Sequence, residues 1–361
     1  MGDEISRYKV TLTVKTPTFV GSGKVYSKLD YVYKNRCVDI YDAEKLFNLI
    51  CEEKKIKCFE NYIEENNKKS NLVGFLKKSG LEMQAEECKA YTIDAQIFVG
   101  GEIKCFMRDA DGNPYIPGSS IKGALRTAII SALLNNDAFS EKRNAFKRGE
   151  NITNEGINEG IEEYFSRKIM NGISVSDTSS VKNKDLIICK KQDVAVNGDC
   201  QALNVYRECL RPGTKLGFVL NLDNSLIKLG INVDVEFLKK VINWFNKYYT
   251  DTYIKRFHFN GSDKPELKCG DIILVLGGGT GYFSKNINYP LYGYQEGLQK
   301  VFDDFVEQRE RRENGQNIDY TLRRQHLRDK ELGISPHMLK FTQYDDKMLH
   351  MGICNLEFEE L

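Results

Sequence analysis

The chain has little of what common catalytic and metal sites are built from. It holds four histidines, His258, His326, His337 and His350, with no His-x-x-x-His pair among them. Its ten cysteines are scattered, and none stands in a Cys-x-x-Cys pair. That spacing lacks the signature of a structural zinc site, and it predicts buried, reduced thiols in a cytoplasmic protein. A Gly-x-Ser-x-Gly nucleophile elbow is absent, so no serine hydrolase is indicated. No apolar run approaches transmembrane length, and Met1-Gly2-Asp3-Glu4 has no signal-peptide character. There is also no excess of charge: 52 basic against 51 acidic residues leave +1. No global field favours nucleic acid, so any such surface must be a local basic strip on a near-neutral body. The 19 tyrosines and 19 phenylalanines are dispersed, without an RNP-type run for stacking bases.

What is present is enough apolar material for a large core. With 41% hydrophobic and 29% charged residues over 361 positions, the composition is that of a soluble globular chain of two domains. Tyr8 to Thr16 alternate as a half-buried strand, and Phe19 to Lys24 follow as a glycine-rich loop. Leu29–Tyr33 and Cys37–Ile40 predict a hairpin, and Asp42 a helix cap. Residues 54–90 and 137–170 read as charged or polar helical segments, with a strand over 93–99 between them. Asn197-Gly198 between strand-like runs is a strong hairpin signal, and the long arms predict a projecting ribbon. A helix over 233–249 carries the single tryptophan, Trp244, and Ile272–Leu276 is a short, wholly apolar strand. Residues 295–332 read as a charged helix whose arginines, from Arg309 to Arg328, alternate with acids, the pattern of a solvated face. Two closing strands are expected over 338–344 and 349–358.

The densest chemistry lies in Tyr115-Ile116-Pro117-Gly118-Ser119-Ser120-Ile121-Lys122-Gly123-Ala124-Leu125-Arg126. Pro117 and Gly118 make a turn, and Ser119 or Ser120 is placed to cap the helix that follows. Ile121, Ala124, Leu125, Ala128, Ile129, Ala132 and Leu133 fall at helical spacing and predict its buried stripe. Lys122 and Arg126 stand four apart on another face. Free N–H groups, small hydroxyls and two cations at one helix start suit an anionic ligand. An ordinary capped helix with surface cations would show the same residues.

Two more glycine-rich segments admit two readings. Gly277-Gly278-Gly279-Thr280-Gly281 is not a Walker loop, because Tyr282 stands where Lys is needed. It is either a tight turn after a buried strand or a close backbone approach to a phosphate, with Lys285 adding charge. Gly21-Ser22-Gly23-Lys24 is either a flexible turn or a second edge of the same surface. Asp30 is either a turn-capping carboxylate or a loop acid.

The string from Ile116 to Arg126 resembles the signature helix start of the RAMP superfamily, the RNA-binding proteins of CRISPR systems. Arg207–Thr214, Leu276–Gly281, Ser335–Phe341 and Met351–Cys354 are similar to one branch, the fifth subunit of Csm-type (type III-A) effector complexes. The resemblance implies an α+β chain of two ferredoxin-like (RRM-like) domains with helical insertions and a projecting β-hairpin. Its domains would be 1–222, with insertions at about 54–90 and 137–170, and 223–361. It implies a non-catalytic subunit without cofactor or metal, which caps the filament at the 3′ end of the crRNA and supports 3′ maturation. The implied partners are crRNA, a neighbouring RAMP backbone subunit, the small helical subunit and a cellular 3′-trimming nuclease, with no membrane. RNA contact carries over onto Gly118, Ser119, Ser120, Lys122, Gly123 and Arg126, then onto Gly21, Gly23, Arg211, Gly279, Gly281 and Lys285. The Asn197-Gly198 ribbon matches the thumb such proteins insert between bases. Some members cut RNA with a loop aspartate, so the alternative is a metal-dependent endoribonuclease using Asp30.

Overall fold

A computed structural model describes residues 5–148, 160–260, 264, 265, 267, 271–313 and 326–361. The first half contains β1 (Ser6–Val14), β2 (Gly21–Tyr26), β3 (Tyr31–Lys34), β4 (Cys37–Tyr41), α1 (Ala43–Glu52), α2 (Ile56–Asn66), α3 (Leu72–Ser79), β5 (Lys89–Asp94), β6 (Ile103–Phe106) and α4 (Gly118–Leu134). Next come α5 (Ser140–Lys147), α6 (Ile161–Lys168), β7 (Ile173–Val175), β8 (Leu186–Ala195), β9 (Cys200–Leu210) and β10 (Lys215–Leu222). The remainder is α7 (Val235–Thr252), β11 (Ile273–Val275), α8 (Asn288–Tyr292), α9 (Tyr294–Glu313), β12 (Met338–Tyr344), β13 (Lys347–His350) and β14 (Ile353–Glu360).

β1 is the centre of the first sheet because its alternation leaves Tyr8, Val10, Leu12 and Val14 buried on one face. The strand order is β11-β14-β1-β10-β7. Without β14, the units β1–α4–β7 and β10–α7–β11 form a ferredoxin-like βαββαβ sheet. β14, from the end of the chain, is inserted between β11 and β1. α4 and α7 pack on this sheet with Ile121, Leu125, Ala128, Ile129 and Leu133 from one helix and Leu238, Val241, Ile242 and Phe245 from the other. α7 starts where Asp234 accepts the Phe237 N–H at 2.7 Å.

The second, nine-stranded sheet runs β2-β6-β9-β8-β5-β4-β3, with β12 also on β8 and β13 on β12. Its seam is held by Glu208, which is wholly buried and accepts from the Phe106 N–H at 2.8 Å and the Tyr91 hydroxyl at 2.9 Å. Arg108 neutralises that carboxylate at 3.3 Å. Residues on both sides of position 222 pair within each sheet. The 54–90 insertion forms helices as expected, and with α1 it owns a small core around Leu46, Tyr62, Leu72, Phe75 and Leu76.

Three local expectations are corrected. The glycine-rich run after Phe19 is not a loop but the exposed edge strand β2, which pairs with β6 across a register shift between Gly21 and Val25. The strand expected over 93–99 is β5, which ends at Asp94 opposite Cys37, where its antiparallel partner β4 begins, beside the Asn35–Arg36 turn. The Asn197-Gly198 hairpin forms, but the outer half of β8 is not free, because β12 pairs with residues 191–195. Its tip is tied by the His258 N–H to the Val196 carbonyl at 2.8 Å. Of the arginine-rich segment, Arg323 and Arg324 lie outside the described residues.

Candidate nucleic-acid interface

α4 begins at Gly118, and it is capped from a distance. Its N-cap is Pro117, and Ser119 and Ser120 lie inside the first turn rather than capping it. The Gly118 N–H donates instead to Asp177 Oδ1 at 2.8 Å. That carboxylate faces the positive pole of the helix, which no acidic residue of the first turn does. A β-carbon on Gly118 would lie 2.2 Å from the Val175 carbonyl oxygen, so only glycine lets the helix rest on the end of β7. Gly118 therefore positions the helix, and its N–H is already spent.

The two other glycine segments meet each other beside this helix. Gly278 donates its N–H to the Phe19 carbonyl at 2.6 Å and bridges to Phe19 as a strand would. A β-carbon on Gly21 or on Gly278 would come within 2.8 Å of the Phe19 ring, so that ring is the floor on which both segments rest. Between them and α4 lies a cleft of about 370 Å³, lined by Gly21, Ser119, Ser120, Gly123, Arg126 and Lys285, together with Gly277 and Gly278. Among the described residues no carboxylate lines it. Three segments more than 90 residues apart in sequence thus converge, and six of the twelve expected residues sit in one place.

The cations that line this cleft are Arg126 and Lys285. Burial, and then the nearby Arg207 guanidinium, pull the Lys285 ammonium below the usual lysine value. Burial alone does the same to Lys122, which is half-buried on the first turns of α4 and does not line the cleft. Neither ammonium has an acceptor among the described residues.

The other expected residues are distributed differently. Gly281 and Gly279 belong to the turn that follows the cleft floor, with φ of +91° and +85°. Gly279 rests on Arg207, while the space beyond Gly281 is open. Gly23 has φ +88° in exposed β2 and faces open space. Arg211 is apart from the cleft, with Nη2 on Asp94 at 2.5 Å and Nε on the Leu186 carbonyl at 2.9 Å. Asp30 accepts the Ser27 N–H and hydroxyl, each at 2.7 Å, and closes the β2–β3 turn.

Two features were not read from the sequence. Arg207 lies buried under Gly279; its signal was an adjacent Arg-Glu pair, Arg207-Glu208, set between Tyr206 and the apolar Cys209-Leu210 at the end of β9. His326 and His337, eleven residues apart, meet on Asp329, which is wholly buried and also accepts the Ser335 hydroxyl at 2.7 Å. Among the described residues this is the one His/Cys/carboxylate group close enough to share a metal ion, and none of its members lines the cleft.

Residues 11–320 match the family model of the RAMP superfamily. The sequence is similar to the CRISPR system Cms protein Csm5 of Enterococcus italicus, 26% identical with 98% of each chain covered. It is 28% identical to the Csm5 of Streptococcus thermophilus, over 80% of this chain and 82% of that protein. The fold is similar to the crystal structure of T. onnurineus Csm5, with TM-score 0.63, 18% identity and 96% and 99% of the two chains covered. It is also similar to a chain in the cryo-EM structure of a type III-A Csm–crRNA–target RNA ternary complex, with TM-score 0.61, 19% identity and 97% and 100% covered. The family model spans most of a chain whose sheets and glycine segments are arranged as described, and the chain belongs to the RAMP superfamily.

Proposed function

We propose that this chain is the Csm5-type subunit of a type III-A CRISPR effector complex, and that it holds the crRNA backbone toward its 3′ end without cutting it. The observation that carries the reading is the cleft in which the start of α4, the β2 edge and Gly277–Gly278 converge, with no carboxylate among the described residues that line it. N–H groups, serine hydroxyls and cations at one concave edge bind phosphate, and phosphate contacts fix position without reading sequence. The relatives of similar length are Csm5 proteins, and one similar fold comes from a complex that contains crRNA. A net charge of +1 supports a strand shared with a neighbouring RAMP backbone subunit rather than bound alone. In that setting the chain caps the filament and leaves the 3′ end to a trimming nuclease. Asp30, the acid an endoribonuclease would need, is engaged in its own turn, which supports a non-catalytic subunit.

Replacing Lys122 and Arg126 with alanine tests the reading. Two lost phosphate contacts should weaken crRNA retention roughly tenfold or more, equally for all spacer sequences, and reduce the salt slope by about 1.4. Retention and slope equal to the wild type would refute it.

A further inference from the structure

A wholly buried carboxylate, Asp329, sits between two imidazoles in the segment that leads into β12. His326 Nδ1 is 3.0 Å from Asp329 Oδ2, and His337 Nδ1 contacts Asp329 Oδ1. The ligand atoms of the three residues all lie within 4.8 Å of one another. Burying a carboxylate is costly unless a cation or several donors face it. No lysine or arginine pairs with Asp329 among the described residues; its partners are the two histidines and the Ser335 hydroxyl at 2.7 Å.

The rings are held in place as well as close. His326 stacks on Phe305 of α9, with centroids 4.8 Å apart and planes 6° apart, and His337 meets His326 edge-on at 5.3 Å. The chain between them folds back on itself, the Asp329 N–H donating to the His326 carbonyl and the Ile334 N–H to the Asp329 carbonyl, each at 3.0 Å. Two tyrosines fasten the approach to His337. The Tyr289 hydroxyl donates to the Ser335 carbonyl at 2.5 Å, and the Tyr253 hydroxyl donates to the Pro336 carbonyl.

Two imidazoles and a carboxylate form a nitrogen–oxygen donor set. That set suits Zn²⁺, whereas Mg²⁺ and Ca²⁺ take oxygen ligands. A neutral ring that carries its proton on Nε2 presents Nδ1 as a lone pair, so the atoms that face Asp329 can also bind a metal. With bonds of about 2.1 Å, tetrahedral ligand atoms stand roughly 3.4 Å apart. The three side chains reach that spacing by small adjustments. His326 keeps 18% of its side chain in solvent, which gives the ion an entry and a water the fourth position.

We propose that His326, Asp329 and His337 bind one Zn²⁺ ion, which staples the approach to β12 onto α9. This departs from the metal-free subunit that the resemblance implied. No member of the group lines the cleft, so the ion's role is structural. Phe305, under His326, packs against the core that contains Leu339 and Phe341 of β12. β12 in turn pairs with residues 191–195 of β8, so the ion fixes the strand that holds the β8–β9 hairpin. Metal bound by the folded chain adds to its stability.

The test uses the full chain without a histidine tag, stripped of metal by chelation. Zn²⁺ titrated against a chromophoric chelator should saturate at one equivalent, and Co²⁺ in its place should give the visible bands of a tetrahedral site. The melting temperature should rise by a few degrees at about a hundredfold excess of Zn²⁺ over its dissociation constant. His326→Ala should weaken the site roughly hundredfold or more and abolish that rise. His258→Ala, at an exposed histidine outside the cluster, should change neither. If His326→Ala still binds one equivalent with wild-type affinity, the ion lies elsewhere and the proposal fails. If the wild type gives no Co²⁺ bands and melts at one temperature with and without Zn²⁺, the cluster is a hydrogen-bonded triad only, which also overturns the proposal. That measurement needs no variant, so it decides the matter even where His326→Ala does not fold.

Discussion

Gly277→Ala should be among the most damaging single-methyl changes in the chain. At φ +90° any other residue is strained, by about 1–3 kcal/mol. The new β-carbon would also lie 2.2 Å from the Phe19 carbonyl oxygen, far inside any real contact. That oxygen is fixed by its 2.6 Å bond from the Gly278 N–H, so relief requires breaking a hydrogen bond of about 1 kcal/mol. The total comes to roughly 2–4 kcal/mol. Gly281→Ala is the matched control, since its φ is +91° but nothing lies within 4 Å of the added carbon. It should cost only the same backbone strain, about 1–3 kcal/mol, and so about 1 kcal/mol less than Gly277→Ala. Denaturant unfolding measures both, and crRNA affinity measured in parallel should fall further for Gly277→Ala, which parts the turn from Phe19. Equal loss of stability in the two variants would refute the argument that close approach, rather than φ, selects glycine at 277.

Two further perturbations probe the buried histidines. Burial pushes His350 down to about 4, with its Nε2 3.2 Å from the Tyr249 hydroxyl. The unfolded chain takes up that proton first, so stability is full above pH 6.5 and falls as pH drops to about 4, by about 3 kcal/mol in all. Urea midpoints at pH 7.5 and 4.5 should differ less in His350→Phe than in the wild type, and an identical difference would contradict the assignment. Burial pushes the Asp329 carboxyl up, and hydrogen bonds from His326, His337 and Ser335 outweigh it and leave it below the usual range. Asp329→Asn should therefore cost about 2–4 kcal/mol in thermal or urea unfolding, and a melting temperature equal to the wild type would show that the triad holds nothing.

Features set by short-range chemistry were legible in the sequence. The stripe from Ile121 to Leu133 shows the helical period, β1 shows strict alternation, and Asn197-Gly198 marks its hairpin. What was hidden depends on partners far along the chain. Asp177 caps α4 from 59 residues away, and a serine-rich first turn gave no hint of it. β2 is an edge strand of Gly, Ser and Lys with five exposed positions, so it has no hydrophobic alternation to read. β14 separates β11 from β1 through pairing alone. The motif residues marked three edges of the site, but that Phe19 joins two of them, and that Arg207 lies beneath, is visible only in three dimensions. Arg211, by contrast, carries a motif position and is consumed by Asp94.

The most direct measurement of the central claim is photocrosslinking in the assembled effector complex. crRNA would carry 4-thiouridine at successive positions near its 3′ end, and the attached peptides would be identified by mass spectrometry. Neighbouring nucleotides should crosslink to the segments 119–126 and 277–285, which contribute to one cleft. Crosslinks from these nucleotides that leave both segments unmodified, or none to this chain at all, would contradict it.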